Sequence, residues 1–479
     1  MSSDGTTEAA SADDTPGVRR IAVVGAGFAG LRAATMLASV GHRVEVFEAR
    51  TAVGGRARGE WCAGHWMDAS WPVLGGRDLA LARFARDLSD RGVGDLLSPL
   101  RPVQTALLRG GETHPVDGLQ LRAAARIPGP SLRERAKLLR WGRLMARYAP
   151  LLDATCPERA ADLDYRSLAD HVSLYFGRGH LEFWLAPEVQ GLYGDAVDEL
   201  SRVALLQHAH AQGLGDTRPS PPGLPRRPLL ELAQAAAESL DIHRATQVQR
   251  IDELAAGGYR VELLDTDGPR AESTYDAIVI TVAPSEAAKL AGSLLTPAER
   301  DFFAGVEERP VVTLSVALEG LHTGLPQEIR LPRREDSAIS SIVVEPGQSG
   351  GRAPEGKSQL VIRARDAFAA RWGEMASDVV AKNLLSSLEL AMPGIGDRVL
   401  TTHLGRGPQA FFGVGHYRAL ANFQKVQADR RALGRRVYWA GDYLTGPSFE
   451  SATRSGRRAA SELLADVRDD GEVGDGTLD

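Results

Sequence analysis

The amino-acid sequence predicts an α/β fold, and two features of the chain carry that prediction. The first is a run in which the β-branched segment Ile21–Val24 leads into Gly25, Gly27 and Gly30, then into a helical stretch and the apolar strand Arg43–Glu48. A buried strand, a glycine turn, a helix and a second strand in that order are typical of a Rossmann-like unit with a parallel sheet. The second feature is size, since 479 residues with 43% hydrophobic composition can bury a large core. We therefore expect two domains.

The glycine spacing Gly-x-Gly-x-x-Gly predicts a turn that binds a dinucleotide. The first glycine permits a tight turn, the second lets the backbone approach a pyrophosphate, and the third lets helix and strand pack closely. The helix that starts here points the positive end of its dipole at the phosphates. We therefore predict that the whole turn contacts the cofactor, namely the residues Gly25, Ala26, Gly27, Phe28, Ala29 and Gly30.

Glu48 ends the second strand, about 18 residues after Gly30, where a carboxylate can accept hydrogen bonds from both hydroxyls of a ribose. An acid at this position disfavours a phosphorylated ribose, so NAD or FAD is predicted rather than NADP. The adjoining Ala49 and Arg50 are predicted to belong to the same contact set.

The residues that follow distinguish between these two cofactors. After Arg50 the chain continues to Gly54-Gly55-Arg56, and this segment resembles the one found in the superfamily of flavin amine oxidases, protoporphyrinogen oxidases and phytoene desaturases. The resemblance implies FAD as the cofactor, with Arg56 against its pyrophosphate. The chemistry suits that role, because paired glycines let backbone amides come close and a guanidinium binds phosphate oxygens with two parallel hydrogen bonds.

A second match to the same superfamily lies near the other end of the chain. The strand at 436–440 closes on Gly441-Asp442 and is followed by Ser448, Phe449 and Glu450 and a helix to about Leu464. The resemblance implies that Gly441 and Asp442 contact the ribityl and phosphate part of FAD, and that the helix begins beneath the flavin. No cysteine occurs in this segment, so the FAD is predicted to be non-covalent.

The resemblance also implies a Rossmann-like FAD-binding domain assembled from discontinuous segments. We place these segments at 18–95, 211–290 and 405–465, with the backbone around Val248 near the adenine. The ranges 96–210 and 291–404 are then insertions. They are predicted to form an α+β substrate domain that faces the flavin.

Composition and charge exclude several other classes of protein. Acidic residues cluster in 1–17 and 466–479, which we predict to be disordered tails. The chain has two cysteines and no apolar run long enough to span a membrane, so a cytoplasmic location is expected. It carries no nucleic-acid motif, no cluster with metal-ligand spacing and no motif that sets an oligomeric state. We therefore predict neither a nucleic-acid partner nor a metal.

Three substrate classes compete within the superfamily. For an amine oxidase, the tyrosine of the aromatic cage falls on Ser448 here and the strand lysine falls near Thr313, which weakens that hypothesis. For a protoporphyrinogen oxidase, the arginine that holds a propionate is replaced near Thr105. Carotenoid and terpenoid desaturases share the closing pattern that is matched here by Gly441, Asp442, Tyr443, Ser448, Glu450, Ala452, Ser455 and Gly456.

These matches favour an FAD-dependent oxidoreductase that removes a hydride from a hydrophobic or conjugated substrate. A flavin amine oxidase and a redox-neutral FAD-dependent isomerase remain the alternatives. The flavin performs the chemical step in such enzymes, so no catalytic acid or base is required. The candidates for residues that line the flavin pocket are Phe449, Ser448 and Thr313.

A basic segment suggests a peripheral contact with a membrane. The range 130–148 opens with a capping box made by Ser131 and Glu134 and mixes arginines with Leu138, Leu139 and Trp141. Its apolar residues do not collect on one helical face, so a surface helix of the substrate domain is the favoured interpretation and membrane contact is the alternative.

Overall fold

The computed structural model describes residues 18–475 apart from 78, 98, 117–118, 217–218, 266–267, 270–271, 321–323 and 336. The tail predicted at 1–17 lies outside the described residues. Within them, no helix is both long enough and apolar enough to cross a membrane.

The described chain combines helices with strands, in runs of several helices or several strands. The strands are β1 (Arg20–Val24), β2 (Arg43–Glu48), β3 (Gly59–Cys62), β4 (His65–Asp68), β5 (Arg101–Pro102), β6 (Thr105–Arg109), β7 (Glu112–Val116), β8 (Gly223–Leu224), β9 (Asp241–Arg244), β10 (Gln247–Glu253), β11 (Tyr259–Asp265), β12 (Gly268–Pro269), β13 (Ser273–Tyr275), β14 (Ala277–Ile280), β15 (Glu308–Leu318), β16 (Glu328–Arg330), β17 (Ile339–Pro346), β18 (Ser358–Ala364), β19 (Val399–Ala410) and β20 (Val437–Trp439). The helices are α1 (Phe28–Ser39), α2 (Ala80–Asp87), α3 (Leu121–Ala124), α4 (Leu132–Lys137), α5 (Trp141–Tyr148), α6 (Leu168–Tyr175), α7 (Arg178–His180), α8 (Ala186–Tyr193), α9 (Arg202–Gln212), α10 (Leu229–Ala237), α11 (Pro284–Leu290), α12 (Pro297–Gly305), α13 (Asp366–Trp372), α14 (Ser377–Ala391), α15 (His416–Ala432) and α16 (Phe449–Asp475).

The first of two large sheets is parallel and has five strands, in the order β20-β14-β1-β2-β9. Its strands come from all three ranges predicted for the cofactor domain. Register pairs Val24 with Phe47 on one side and with Ile280 on the other. The carboxyl ends of β1, β2, β14 and β20 therefore meet at one edge, which is where open α/β sheets bind their ligands.

Helices α1, α10 and α16 pack their apolar residues against this sheet. The contact between α1 and α16 is unusually close, because a Cβ on Gly456 would lie 2.0 Å from the carbonyl oxygen of Ala29. Only a glycine fits at that crossing. This close contact places the N-terminal half of α16 beside the glycine turn that precedes α1.

The second large sheet has seven strands, in the order β19-β15-β18-β17-β16-β6-β7. All of its pairings are antiparallel except that between β16 and β6. Helix α14 contributes to the apolar cluster on one face. The helices between β7 and β8 build a further core around Trp141 and Trp184. This arrangement agrees with the α+β character predicted for the insertions.

Two segments differ from the sequence predictions. Helix α16 continues to Asp475, whereas a disordered tail was predicted from residue 466; the Tyr438 hydroxyl donates to Asp466 at 2.8 Å, so the helix at that point is held to the sheet. The basic segment at 130–148 is not one helix but two short ones, α4 and α5, joined by a tight turn. Its capping box at Ser131 and Glu134 is confirmed.

Glu299 holds the last strand of the parallel sheet to the helices below it. Its carboxylate is fully buried and accepts from the backbone N–H of Thr296 at 2.7 Å, from Gln427 Nε2 at 2.6 Å and from Arg435 Nη1 at 2.6 Å. Arg430 is a further partner. Together these donors lower the pKa of Glu299 to about 2, against the raising effect of its burial.

We expect Glu299→Ala to lower the free energy of unfolding by about 3 kcal/mol at neutral pH, because it leaves two arginines without their buried partner. Since the folded pKa lies below the ordinary value of 4.5, the stabilisation is complete above that pH and is lost as the pH falls towards 2. The difference between wild type and variant should therefore be smaller at about pH 3 than at neutral pH in denaturant titrations.

The matched control is Glu286→Ala, which removes an exposed partner of Lys289. That change should cost less than about 0.5 kcal/mol. Equal effects of the two substitutions would show that the Glu299 network does not stabilise the fold.

Candidate active site

The glycine turn lies at the carboxyl end of β1. Gly25 has a φ of +105°, a backbone conformation that residues with a Cβ rarely adopt. A Cβ at this position would also lie 2.8 Å from Thr281 Oγ1. A Cβ on Gly30 would come within 1.9 Å of the Gly25 carbonyl oxygen. Both positions therefore require glycine. Thr281, which the sequence analysis did not single out, supports the turn because its hydroxyl lies 2.8 Å from the Val24 carbonyl oxygen.

The paired glycines after β2 lie directly against this turn. The Gly54 N–H donates to the Ala26 carbonyl at 2.8 Å, and a Cβ on Gly55 would be 3.2 Å from the Cα of Gly27. Gly55 also has a φ of +58°. Two backbone segments thus form a cradle without side chains, which leaves room for a pyrophosphate.

Glu48 lies beside the cradle. One of its carboxylate oxygens accepts from the Ala26 N–H at 2.8 Å and the other accepts from the Arg50 N–H at 3.0 Å. These contacts fix the acid at the end of β2. Val248 lies on the neighbouring β10, and the Thr246 N–H just before that strand donates to the Glu48 carbonyl at 3.0 Å. Its contact with an adenine stays a prediction.

An ion pair joins the two ends of the chain. Arg56 Nη2 lies 2.6 Å from Asp442 Oδ2, so the two predicted halves of the site meet in space. The Gly441 N–H donates to Ser455 Oγ at 3.0 Å, which ties the turn after β20 to α16. Arg56 is partly exposed and its guanidinium is available to an anion as well as to the aspartate.

The N-terminus of α16 forms the next wall of the site. Ser448 Oγ accepts from the Ser451 N–H at 3.0 Å and so satisfies one free amide of the first turn. Phe449 packs against Phe28 with 5.5 Å between ring centroids. The start of α16 and the start of α1 are therefore adjacent, and both present the positive ends of their helix dipoles.

A cavity opens beside these groups, with about 700 Å³ of empty space including its solvent-open mouth. It is bounded on one side by the cofactor half-sites and on the other by the seven-stranded sheet and α8. The described residues that line it are Arg56, Arg58, Ala69, Ser70, Trp71, Val73, Leu74, Gly191, Leu192, Val311, Arg363, Arg406, Gly407, Pro408, Gln409, Pro447, Ser448 and Phe449.

These features fit a dinucleotide with an extended ring system: a cradle without side chains for the pyrophosphate, an acid for the ribose, and, for the ring, the side of the cavity next to a helix N-terminus. A comparison with known families identifies the cofactor. The model of the flavin-containing amine oxidoreductases matches residues 28–464. The chain belongs to that family. It is an FAD-dependent oxidoreductase, which confirms the predicted cofactor and enzyme class.

Individual relatives carry different chemistries. A probable zeta-carotene desaturase of Synechococcus elongatus is 24% identical over 93% of this chain and 98% of its own length. A putative flavin-containing monoamine oxidase of Mycobacterium tuberculosis is 28% identical over 55% of this chain and 57% of its own. A putative protoporphyrinogen oxidase structure from Exiguobacterium has a TM-score of 0.69 at 17% identity, covering 93% of this chain and 99% of that one. This last likeness shows the shared fold.

Two residues predicted for the site have other partners in the structure. Glu450 is buried, and its carboxylate accepts from the backbone N–H groups of Ala80 at 2.6 Å and Leu81 at 3.0 Å, so it caps α2. Thr313 is also buried and donates its hydroxyl to the Ala69 carbonyl at 3.0 Å. On the same strand Val311 lines the cavity in its place. Trp71 and Arg363 also line the cavity, and neither was predicted from the sequence.

We expect Arg56→Met to raise the dissociation constant for FAD at least about tenfold, because the variant loses a charge-assisted contact to the pyrophosphate and leaves Asp442 unpaired. Titration of apoprotein with FAD, followed by flavin fluorescence, measures this. Arg20→Met is the control, since Arg20 lies at the other end of β1 and pairs with Glu45 at 3.0 Å. A similar loss in both variants would contradict the role of Arg56.

Glu450→Ala should lower the free energy of unfolding by about 2 kcal/mol, because two buried amides at the start of α2 lose their acceptor. Its affinity for FAD should stay within about threefold of wild type, since the carboxylate faces α2. The same titration and a denaturant melt measure both quantities. A large loss of FAD affinity in a stable variant would restore the cofactor role that the sequence suggested.

Proposed function

We propose that this enzyme dehydrogenates a hydrophobic or conjugated substrate, with hydride transfer to the flavin. The lining of the cavity supports the proposal. Apart from arginines, the described side chains around it are apolar, small or uncharged, among them Trp71, Leu74, Leu192 and Val311. No described acid, histidine, lysine or tyrosine lines this cavity, so it offers no group that titrates near neutral pH.

The charge of the lining disfavours an amine substrate. Its ionisable side chains are Arg56, Arg58, Arg363 and Arg406. Arg56 is paired with Asp442, and the positive charges of the other three raise the free energy of an ammonium group nearby. By the sequence resemblance, the cage tyrosine of the family's amine oxidases falls on Ser448 here and their strand lysine falls near Thr313, which also weakens amine oxidation. The relation to a monoamine oxidase keeps amine oxidation as the alternative to be tested.

The desaturase relative supports a substrate without a reacting heteroatom. It matches this chain over nearly its whole length, unlike the monoamine oxidase. Bound flavin accepts the hydride in enzymes of this kind. The protein then has to hold the C–H bond near the ring and exclude water, and the apolar residues of the cavity are suited to both tasks.

Anaerobic titration of FAD-loaded enzyme tests the proposal. We expect an apolar polyene such as phytoene to bleach the flavin absorbance at about 450 nm, and cyclohexylamine and putrescine to leave it unchanged. Bleaching by the amines alone would establish amine oxidation instead. Rearrangement of the polyene without net bleaching or oxidised product would establish the redox-neutral isomerase.

The basic segment at 130–148 is a candidate for contact with a membrane, where an apolar substrate would be bound. Leu132 and Leu139 are strongly exposed, at 83% and 88%, and arginines surround them, whereas Leu138 and Trp141 are buried. The segment is therefore partly a core element and partly an apolar surface with positive charge, a combination that favours anionic bilayers. Peripheral membrane contact stays a prediction.

A further inference from the structure

Arg363 is a buried, charged residue that lines the cavity. It lies on β18, where register pairs it with Thr313 on β15 and with Ser341 on β17. The residue is only 3% exposed, yet it lines the cavity beside the predicted flavin position. The sheet therefore places a guanidinium on the substrate side of the site.

No carboxylate of the described chain lies within salt-bridge distance of Arg363, and its side chain has no hydrogen-bond partner there. Arg330 provides the contrast. It stands on the same row of the sheet, paired with Ser341, and is similarly buried. Arg330, however, contacts two buried carboxylates, Glu188 and Glu328. Of these two arginines, one is neutralised by the fold and the other is not.

Two aspartates lie near enough to Arg363 to favour its charge, but both are bound elsewhere. Asp195 pairs with Arg365 at 2.9 Å. Asp366 accepts from the backbone N–H of Asp195 at 2.8 Å and of Ala196 at 3.1 Å. Both oxygens of Asp195 and one oxygen of Asp366 are thus committed to a neighbouring loop. Neither aspartate forms an ion pair with Arg363, whose side chain lines the cavity.

Burial of an unpaired charge is costly, and buried charges in proteins are normally paired. The cost is visible here, because burial lowers the pKa of Arg363 despite the two aspartates. A guanidinium presents a planar fork of donors that matches a carboxylate with two parallel hydrogen bonds. The missing partner is thus expected to be an anion that enters the cavity.

We propose that Arg363 binds a carboxylate of the substrate, so that the enzyme acts on an apolar molecule that ends in an acid. This inference rests on the proposed function and narrows it. The carboxylate would anchor one end of the substrate at β18, and the apolar residues around Trp71 and Leu192 would take the hydrocarbon part. FAD carbonyl oxygens offer a related acceptor, and the experiment separates the two sources.

Binding of decanoate and of decanamide to the FAD-loaded enzyme, followed by the flavin absorbance spectrum, tests the proposal. Wild type should prefer the acid over the amide at least about tenfold. Arg363→Gln should raise the dissociation constant for decanoate about 30-fold and leave that for decanamide nearly unchanged. Arg363→Lys should keep part of the preference, because it retains the charge.

Two controls separate recognition from folding. Arg406→Gln changes another cavity arginine, whose Nη2 already donates to the Met375 carbonyl at 2.6 Å, and should keep the preference for the acid. In the absence of ligand Arg363→Gln should melt at or above the wild-type temperature, since it removes an unpaired buried charge. Arg330→Gln should melt lower, because it leaves two carboxylates unpaired.

The proposal is overturned if wild type shows no preference for decanoate, or if Arg363→Gln keeps it. A tenfold or larger loss of FAD affinity in Arg363→Gln would assign the contact to the cofactor and would also overturn it. None of these three results affects the proposed hydride transfer, which is measured separately by anaerobic bleaching. Failure of that bleaching, with the preference for the acid intact, would leave Arg363 as an anion site and remove the redox proposal.

Discussion

The ion pair between Arg56 and Asp442 is the contact on which the site depends. Each residue belongs to a segment that is predicted to hold half of the cofactor site, and the two segments are far apart in the chain. The pair is partly open to solvent, so its own contribution to stability is modest. Its importance is positional, because an arginine already oriented by a carboxylate needs little reordering when an anion approaches. The parallel sheet makes this possible, since β1 and β20 both end at the same edge.

The cofactor half of the site could be proposed from the sequence because each part of it has a local signature. Gly30 and Gly55 are required by close backbone approaches, and Gly25 by its positive φ and by the nearby Thr281 side chain. Such requirements leave a pattern in the chain. Glu48 follows the same logic, since its place is set by the length of one helix and one strand.

The substrate half of the site could not be predicted in this way. The roles of its residues depend on contacts with residues far away in the chain. Glu450 resembles a cofactor ligand in sequence, but its partner Ala80 is 370 residues distant. Nothing in the local sequence distinguishes Arg363 from Arg330. Only the fold shows that Arg330 is paired with two carboxylates. The same applies to the basic segment, where burial of Leu138 and Trp141 divides a stretch that reads as one helix.

Directed polar contacts, rather than apolar packing alone, fix the distance between the two halves. Ser315 on β15 donates its hydroxyl to the Asp68 carbonyl at 2.7 Å, and Thr313 binds the next carbonyl in the same way. The carboxylate of Asp68 in turn pairs with the buried Arg352 at 2.5 Å. Apolar surfaces can slide past one another, whereas a register of hydrogen bonds admits one alignment. The proposed hydride transfer would require a C–H bond held within van der Waals contact of its acceptor. A sheet tied by its side chains to the segment after Arg56 provides that alignment, and it explains why Thr313 serves the interface instead of the cavity.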